Sequence, residues 1–364
     1  MIHFIIGTRA QLIKTAPIMA ECQRRGIAYN FVFLAQHRQT IFEIIELFGI
    51  KRPDITLGEA GGDISSVREL AGWAAKVMSE GIKHRRLVFR TDVTGGIVLV
   101  HGDALPAILG AALAKSAGLK VGHIEAGLRS FDFARPFPEE LIRVLIGKLR
   151  LPDFYFCQNT WALQNVARYP GKKINTRCNT LLDSLRAALE FSLPDEKTLI
   201  PNEEYGIVTL HRFETLSSRQ RLVEVIRIIR EVTRKIRLLF ILHPPTLTVL
   251  KQTGLYEVLK NSPKIELRPR YDYFRFIRLL KGSRFVITDG GSNQEECSYL
   301  GHPCLLLREA TERTEGLGEN VVLSRFDPAI IDEFVGNYEF YRRVAPYTDV
   351  RPSETILEAL REYW

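Results

Sequence analysis

Short apolar runs rich in β-branched residues alternate with amphipathic helical stretches from one end of the chain to the other, and each run ends in a loop bearing glycine and charged residues. Successive strands joined through helices close onto a parallel sheet, so this alternation points to an α/β architecture. Runs at Ile2–Ile6, Asn30–Leu34, Ile97–Val100 and Lys120–His123 form one set, and runs at Gly206–Leu210, Leu238–Leu242, Phe285–Thr288 and Pro303–Leu307 form a second. At 364 residues the chain is long for one core, so each set is expected to build its own doubly wound, Rossmann-like domain. The polar stretch A-R-Y-P-G-K-K between Val166 and Lys173 is the expected boundary, which gives domains 1–168 and 169–345. The remaining segment, 346–364, has a helical period, with Ser353 as its expected N-cap.

Charge and cysteine usage narrow the function. The formal net charge is +8, but the two signs are interspersed, and the most basic stretch, Arg212 to Arg237, carries its apolar residues at helical spacing. A solvated helix face explains those charges better than nucleic acid does, while an anionic small molecule stays open. Five cysteines, with no C-x-x-C pair, argue against a disulfide scaffold and a structural zinc site, and fit a reducing cytoplasm. The N-terminus shows no basic leader, and the longest apolar stretches fall short of the roughly 18–20 residues that cross a bilayer, so neither secretion nor a membrane is expected.

In doubly wound sheets ligands sit beyond the carboxyl ends of the strands, and the chemistry-bearing residues of this chain fall there. The first strand ends in G-T-R, with Arg9 at a helix N-terminus and Lys14 a turn further on, a combination that suits an anion but is equally the form of a plain βα loop. Neither G-x-G-x-x-G nor a Walker-type phosphate loop is present. The strand I-V-L-V-H-G-D delivers Asp103, G-H-I-E-A-G-L-R-S delivers Glu125, and R-P-F-P-E-E-L-I-R delivers Glu139 and Arg143. A helix cap at Asp103 and an exposed Glu139–Arg143 pair are the simpler readings. Three carboxylates gathered with arginines at one sheet edge would instead supply an acid and a base together. In the second half His211 and Arg212 end a strand and could meet a diphosphate. Gly290 and Gly291 permit close backbone approach, Ser292 can cap a helix or hold a phosphate oxygen, and Glu296 can accept ribose hydroxyls. Arg308 and Arg313 follow the next strand and are expected to border the same site.

Taken in order, these loops resemble the UDP-N-acetylglucosamine 2-epimerase family over nearly the whole chain. The matching strings are G-T-R with Lys14, Gln36–His37, H-G-D, H-I-E-A-G-L-R, P-F-P-E-E with Arg143, Asn179–Thr180, H-R at His211, D-G-G-S-N-Q-E-E and T-E-R-T-E. The resemblance implies the glycosyltransferase-B fold, two Rossmann-like domains facing each other across a cleft that closes on UDP, and a homodimer whose terminal helix packs back on the first domain. It implies inversion at C2 of a UDP-linked 2-acetamido sugar without metal or other cofactor, by elimination of UDP to a glycal and re-addition. Asp103, Glu125 and Glu139 then look like the acid and base set, Arg143 their organiser, and His211 a contact to the diphosphate. Arg9, Lys14, Arg212, His243, Gly290, Gly291, Ser292 and Arg313 look like nucleotide contacts, with Phe276 against the uracil and Glu296 on the ribose.

Several strings depart from the family's usual ones. G-T-R-P-E is G-T-R-A-Q here, H-R-x-E-N is H-R-F-E-T, S-G-G-I-Q-E-E has become G-G-S-N-Q-E-E, and G-N-T is C-N-T. None removes a carried-over ionisable group, but they leave the sugar undetermined. The segment that helps some relatives hold a second, regulatory substrate molecule reads G-G-D-I-S here. Alternatives are a hydrolysing 2-epimerase that releases UDP and free ManNAc, a UDP-sugar glycosyltransferase, and a non-catalytic UDP-sugar-binding protein.

Overall fold

A computed structural model describes residues 1–35, 41–58, 67–90, 95–133 and 136–364. The chain divides into two compact units, one of Met1–Ala187 with Asp349–Trp364 and one of Ala188–Thr348. The first contains β1 (Ile2–Ile6), β2 (Tyr29–Leu34), β3 (Ile55–Leu57), β4 (Ile97–His101), β5 (Lys120–Ile124), β6 (Phe154–Cys157) and β7 (Lys172–Asn175). They form one parallel sheet in the order β3-β2-β1-β4-β5-β6-β7.

Both faces of the central strands are covered, which explains why they read as largely apolar runs. Ile2, Phe4 and Ile6 of β1 face one core with Phe31, Phe33, Ile97 and Leu99, against the helix Arg9–Arg24. Ile5 points the other way, with Val32, Leu34, Val98 and Val100, against Trp73, Ala107 and Ala111.

The second unit repeats the design with β8 (Tyr205–Leu210), β9 (Arg237–Leu242), β10 (Ile265–Pro269), β11 (Val286–Thr288), β12 (Cys304–Leu306) and β13 (Val321–Leu323). Its parallel order is β10-β9-β8-β11-β12-β13, that of a Rossmann sheet. The basic stretch after Arg212 includes the helix Arg219–Val232, which buries Leu222, Val225, Ile226 and Ile229 and turns its arginines outward, as its spacing requires.

Two details differ from the sequence reading. The Val166–Lys173 segment is not where the first unit ends, because β7 begins at Lys172 and pairs with β6 from Phe154↔Lys172 to Cys157↔Asn175. The Pro170–Gly171 turn, with Gly171 at φ +106°, leads into that edge strand, whose polar sequence K-K-I-N carries no apolar run to announce it. The terminal helix Pro352–Ala359 belongs to the first unit, with Ile356, Leu357 and Leu360 in the core beneath the helix Arg9–Arg24. Its N-cap is Arg351 rather than Ser353. Ser353 lies within the first turn and donates its amide to Asp183 Oδ2 at 2.8 Å, so a carboxylate from another helix does the capping. Among the described residues no helix is long and apolar enough to cross a membrane.

Candidate functional site

In each unit the strand order reverses between two central strands, β1 and β4 in the first and β8 and β11 in the second, and the loops there diverge. In the first unit β1 runs into Gly7 and Thr8. A Cβ at Gly7 would sit 2.3 Å from Pro106 Cγ, so only glycine lets the helix Leu105–Ser116 approach this turn. Thr8 caps the helix Arg9–Arg24 and forms a capping box with Gln11. The Gln11 side-chain oxygen accepts from the amides of Gly7 and Thr8, while its Nε2 donates to the His101 carbonyl at 2.7 Å. A carboxylate at this position, as in the usual G-T-R-P-E, has no proton for that last bond.

Lys14, one turn further along, is buried. Its Nζ lies 2.8 and 2.9 Å from the two carboxylate oxygens of Glu125. Glu125 follows β5 with φ +60°, an uncommon conformation for a residue with a side chain, and its Oε2 is 3.3 Å from His101 Nε2. Burial lowers the His101 pKa to about 3, so this imidazole is neutral. His123 is buried too, and its Nε2 lies 2.8 Å from the Gly102 carbonyl oxygen.

Asp103 caps no helix, since the N-cap of the helix Leu105–Ser116 is Ala104. It pairs with Arg143, whose Nε and Nη2 are 2.8 and 2.5 Å from its Oδ2. Arg143 Nη1 also reaches Glu140 Oε2 at 3.2 Å. Glu140 is fully buried and accepts from Arg129 Nε at 2.5 Å, the Ser130 amide at 2.9 Å and the Phe131 amide at 3.3 Å. Glu139 opens the helix Glu139–Lys148 one turn before Arg143 and is half-buried. Of the adjacent acids in P-F-P-E-E, Glu140 thus organises the loop. The sequence alone offers no signal to separate the two.

In the second unit the loops after β8 and β11 meet over Asp289. This buried carboxylate accepts from the backbone amides of His211 at 3.0 Å and Arg212 at 3.1 Å, with His211 Nδ1 at 3.6 Å. The His211 and His243 rings lie 4.9 Å apart, and His243 Nε2 is 3.2 Å from Thr209 Oγ1. Gly290 is the N-cap of the helix Gly291–Leu300, so Ser292 lies inside the first turn and does not cap. Asn293 Nδ2 donates to Glu296 Oε2 at 2.8 Å. Glu312, also buried, bridges Arg212 at 3.1 Å and Arg308 at 2.9 Å, and Arg313 pairs with Glu295. A Cβ at Gly291 would fall 2.7 Å from Arg313 Nε and 3.7 Å from Arg212 Nη2, so both guanidinium groups border the start of this helix. Helix amides and two arginines together favour an anionic ligand.

Asp103 and Glu125 of the first unit, on the loops after β4 and β5, thus meet Arg143 and Lys14 from flanking helices, and in the second unit His211, Arg212, His243, Gly290 and Arg313 lie on loops, with Gly291, Ser292 and Glu296 on the helix Gly291–Leu300. Arg9 is the first residue of its helix, and Phe276 is half-buried on the helix Tyr273–Gly282. Gln36, His37 and the segment 61–65 lie outside the described residues. Gln11, Glu140, Asp289, Glu295 and Glu312, to which sequence reasoning gave no role, are buried partners that hold the loops and arginines of the candidate site in place.

The profile of the UDP-N-acetylglucosamine 2-epimerase family matches residues 20–361 of this chain. A UDP-N-acetylglucosamine 2-epimerase from Methanococcus maripaludis is 32% identical over 340 residues, which cover 90% of this chain and 88% of that protein. Among solved structures, the Neisseria meningitidis UDP-GlcNAc 2-epimerase bound to UDP-GlcNAc is similar at TM-score 0.84 and 27% identity, covering 99% of both chains. The Methanocaldococcus jannaschii enzyme in complex with UDP-GlcNAc and UDP is similar at TM-score 0.83 and 27% identity, again over 99% of both chains. With its two Rossmann-like sheets and a profile match over most of its length, this chain belongs to the UDP-N-acetylglucosamine 2-epimerase family.

Proposed function

We propose that this chain interconverts UDP-GlcNAc and UDP-ManNAc by inverting C2 of the sugar. The C2 proton has no neighbouring carbonyl to acidify it, so a carboxylate removes it only as the C1–oxygen bond breaks. UDP departs with the electron pair of that bond and leaves a glycal. Re-addition of UDP at C1 and of a proton to the opposite face of C2 completes the inversion, and atoms and charge balance.

Asp103, Glu125 and Glu139 serve as the proton-transfer set, Arg143 orients Asp103, and His211 faces the diphosphate at the departing bond. The second unit holds UDP. Arg212, Arg313 and the amides around Gly290, Gly291 and Ser292 take the phosphates, joined by Arg9, Lys14 and His243, while Phe276 lies on the uracil and Glu296 on the ribose. Such an enzyme works in the cytoplasm as a homodimer. The observation that carries this reading is the pair of opposed-charge contacts, Lys14 with Glu125 and Arg143 with Asp103, which fixes two carboxylates on adjacent loops at the carboxyl edge of β4 and β5.

Incubation with UDP-GlcNAc in heavy water tests it. The expected result is deuterium at C2 in a mixture of two UDP-linked epimers. Free ManNAc with released UDP would instead identify the hydrolysing branch, and recovery of unlabelled substrate alone would defeat the proposal.

A further inference from the structure

His123 and Tyr155 are register partners on the adjacent strands β5 and β6, so both side chains leave the sheet on the same face. Both are buried, at 3% and 1% exposure. Each carries one polar atom, His123 Nδ1 and Tyr155 Oη, that is sealed from solvent and has no hydrogen-bond partner among the described residues. An unmatched buried donor or acceptor is destabilising, so two of them require an account. They line one small cavity, together with Glu125, Arg129 and Arg143, with room for about one water molecule.

The protonation pattern selects the occupant. His123 Nε2 lies 2.8 Å from the Gly102 carbonyl oxygen, which only accepts, so Nε2 carries the proton and Nδ1 presents a lone pair. The tyrosine hydroxyl has a proton to donate. A water molecule accepts that proton and donates one of its own to Nδ1, which satisfies both atoms. An anion would leave the Nδ1 lone pair facing another lone pair.

We propose that this cavity binds one internal water that bridges Tyr155 Oη and His123 Nδ1, and that His123 and Tyr155 thereby act as positioning residues for Asp103. The water locks the Nε2–H tautomer, Nε2–H holds the Gly102 carbonyl, and Gly102, at φ +67°, is the turn from which Asp103 projects. The positioning role rests on Asp103 belonging to the proton-transfer set of the proposed epimerase, whereas the water site does not.

The test combines a crystal structure at a resolution that shows ordered water, NMR of the ring nitrogens of labelled histidine, and steady-state kinetics. Density for one water within hydrogen-bonding distance of both atoms is expected, as is an Nε2–H tautomer for His123 whose Nδ1 resonance moves on Tyr155→Phe. Tyr155→Phe and His123→Leu are expected to lower kcat about tenfold with little change in KM, as small misplacements of a reacting group do. His123→Gln should recover most of the loss, because its amide N–H reaches the same carbonyl. A dry cavity, an Nδ1–H tautomer or a Tyr155→Phe spectrum like that of the unmodified protein would overturn the water site. A folded His123→Gln protein as impaired as His123→Leu would overturn the positioning role. Failure of the epimerase reading looks different: the unmodified protein would not turn over UDP-GlcNAc, while density and spectra would still report on the cavity.

Discussion

Lys14 and Glu125, 111 residues apart in the chain, form a buried ion pair in which the ammonium contacts both carboxylate oxygens. Such a pair gains little over an apolar replacement of both partners, but removal of one partner leaves a bare charge in the interior, at a cost of about 3–5 kcal/mol. Lys14→Met and Glu125→Gln should therefore each destabilise the protein by about 3 kcal/mol. The double variant should lose clearly less than the sum. Urea unfolding of the three variants measures the coupling. Strictly additive losses would mean that the two groups do not support each other.

Arg143 holds Asp103 through two nitrogens, and Glu139 lies one turn before Arg143 on the same helix. Asp103→Asn and Glu139→Gln keep the size of each side chain and remove its capacity to transfer a proton. Each should lower kcat by at least about 100-fold, the usual contribution of a general acid or base. UDP affinity, measured by calorimetric titration, should stay within about threefold, since neither residue is among the assigned nucleotide contacts. Turnover left intact would remove the residue from the proton-transfer set.

Stability should fall in two stages as the solution is acidified. Burial lowers His3 to about 4, and His101 and His302 to about 3, from an ordinary 6.5. Between those values the unfolded chain binds protons that the folded chain refuses, so stability declines as pH drops below about 6.5. A second stage begins near 4.5. Burial raises the Glu140 carboxyl, but the Ser130 amide with Arg129 and Arg143 outweighs it and holds the group below its ordinary 4.5. The stability contributed by such a group is present above its unfolded pKa and lost as pH falls through the folded one. His302→Gln removes one titrating ring from the upper stage. The stability difference between pH 7 and pH 5 should shrink by about 2 kcal/mol, from the 1.5 units separating pH 5 from the unfolded pKa. An unchanged difference in denaturant titrations would refute the assignment.

Most central strands were legible because each buries both faces, although the interior strand β6, equally buried, was not among the runs read from the sequence. Ile2–Ile6 is apolar except for the buried His3, and its bounds agree with β1. Edge strands were not, because β7 reads K-K-I-N and β13 is three residues long, too little apolar sequence to stand out from a loop. The site divides in the same way. Asp103, Glu125, His211 and Gly290 follow strands that the alternation predicts, so their placement at the carboxyl edges could be read directly. Their partners could not. Lys14 joins Glu125 across the switch point between β1 and β4, and Asp289 gathers the amides of His211 and Arg212 from a different strand. Those contacts depend on how the strands are ordered in space. Glu140 and Glu139 stand next to each other, and only the direction in which the helix starts decides which is buried.

Gly290 separates what the fold needs from what the site needs. Its φ of −86° and ψ of 128° are ordinary for any residue, so alanine meets no backbone strain there. By reducing the freedom of the unfolded chain, Gly290→Ala should even stabilise by about 0.4–1 kcal/mol if nothing else changed. Space at the site is the obstacle, because a Cβ would lie 2.6 Å from His211 Cε1 and 2.7 Å from Asn293 Oδ1. The Asn293 amide can rotate away, though at the expense of its bond to Glu296. The His211 ring must move as a body, toward His243 or away from Asp289. Gly290→Ala is therefore expected to leave the melting temperature within a few degrees of the unmodified protein while kcat falls about tenfold or more, in line with the displacement of a reacting group. Thermal melts and initial rates on UDP-GlcNAc decide it. Activity lost in proportion to stability would mean that Gly290 serves the fold, and undiminished kcat would mean that the His211 ring has no part in the rate-limiting step.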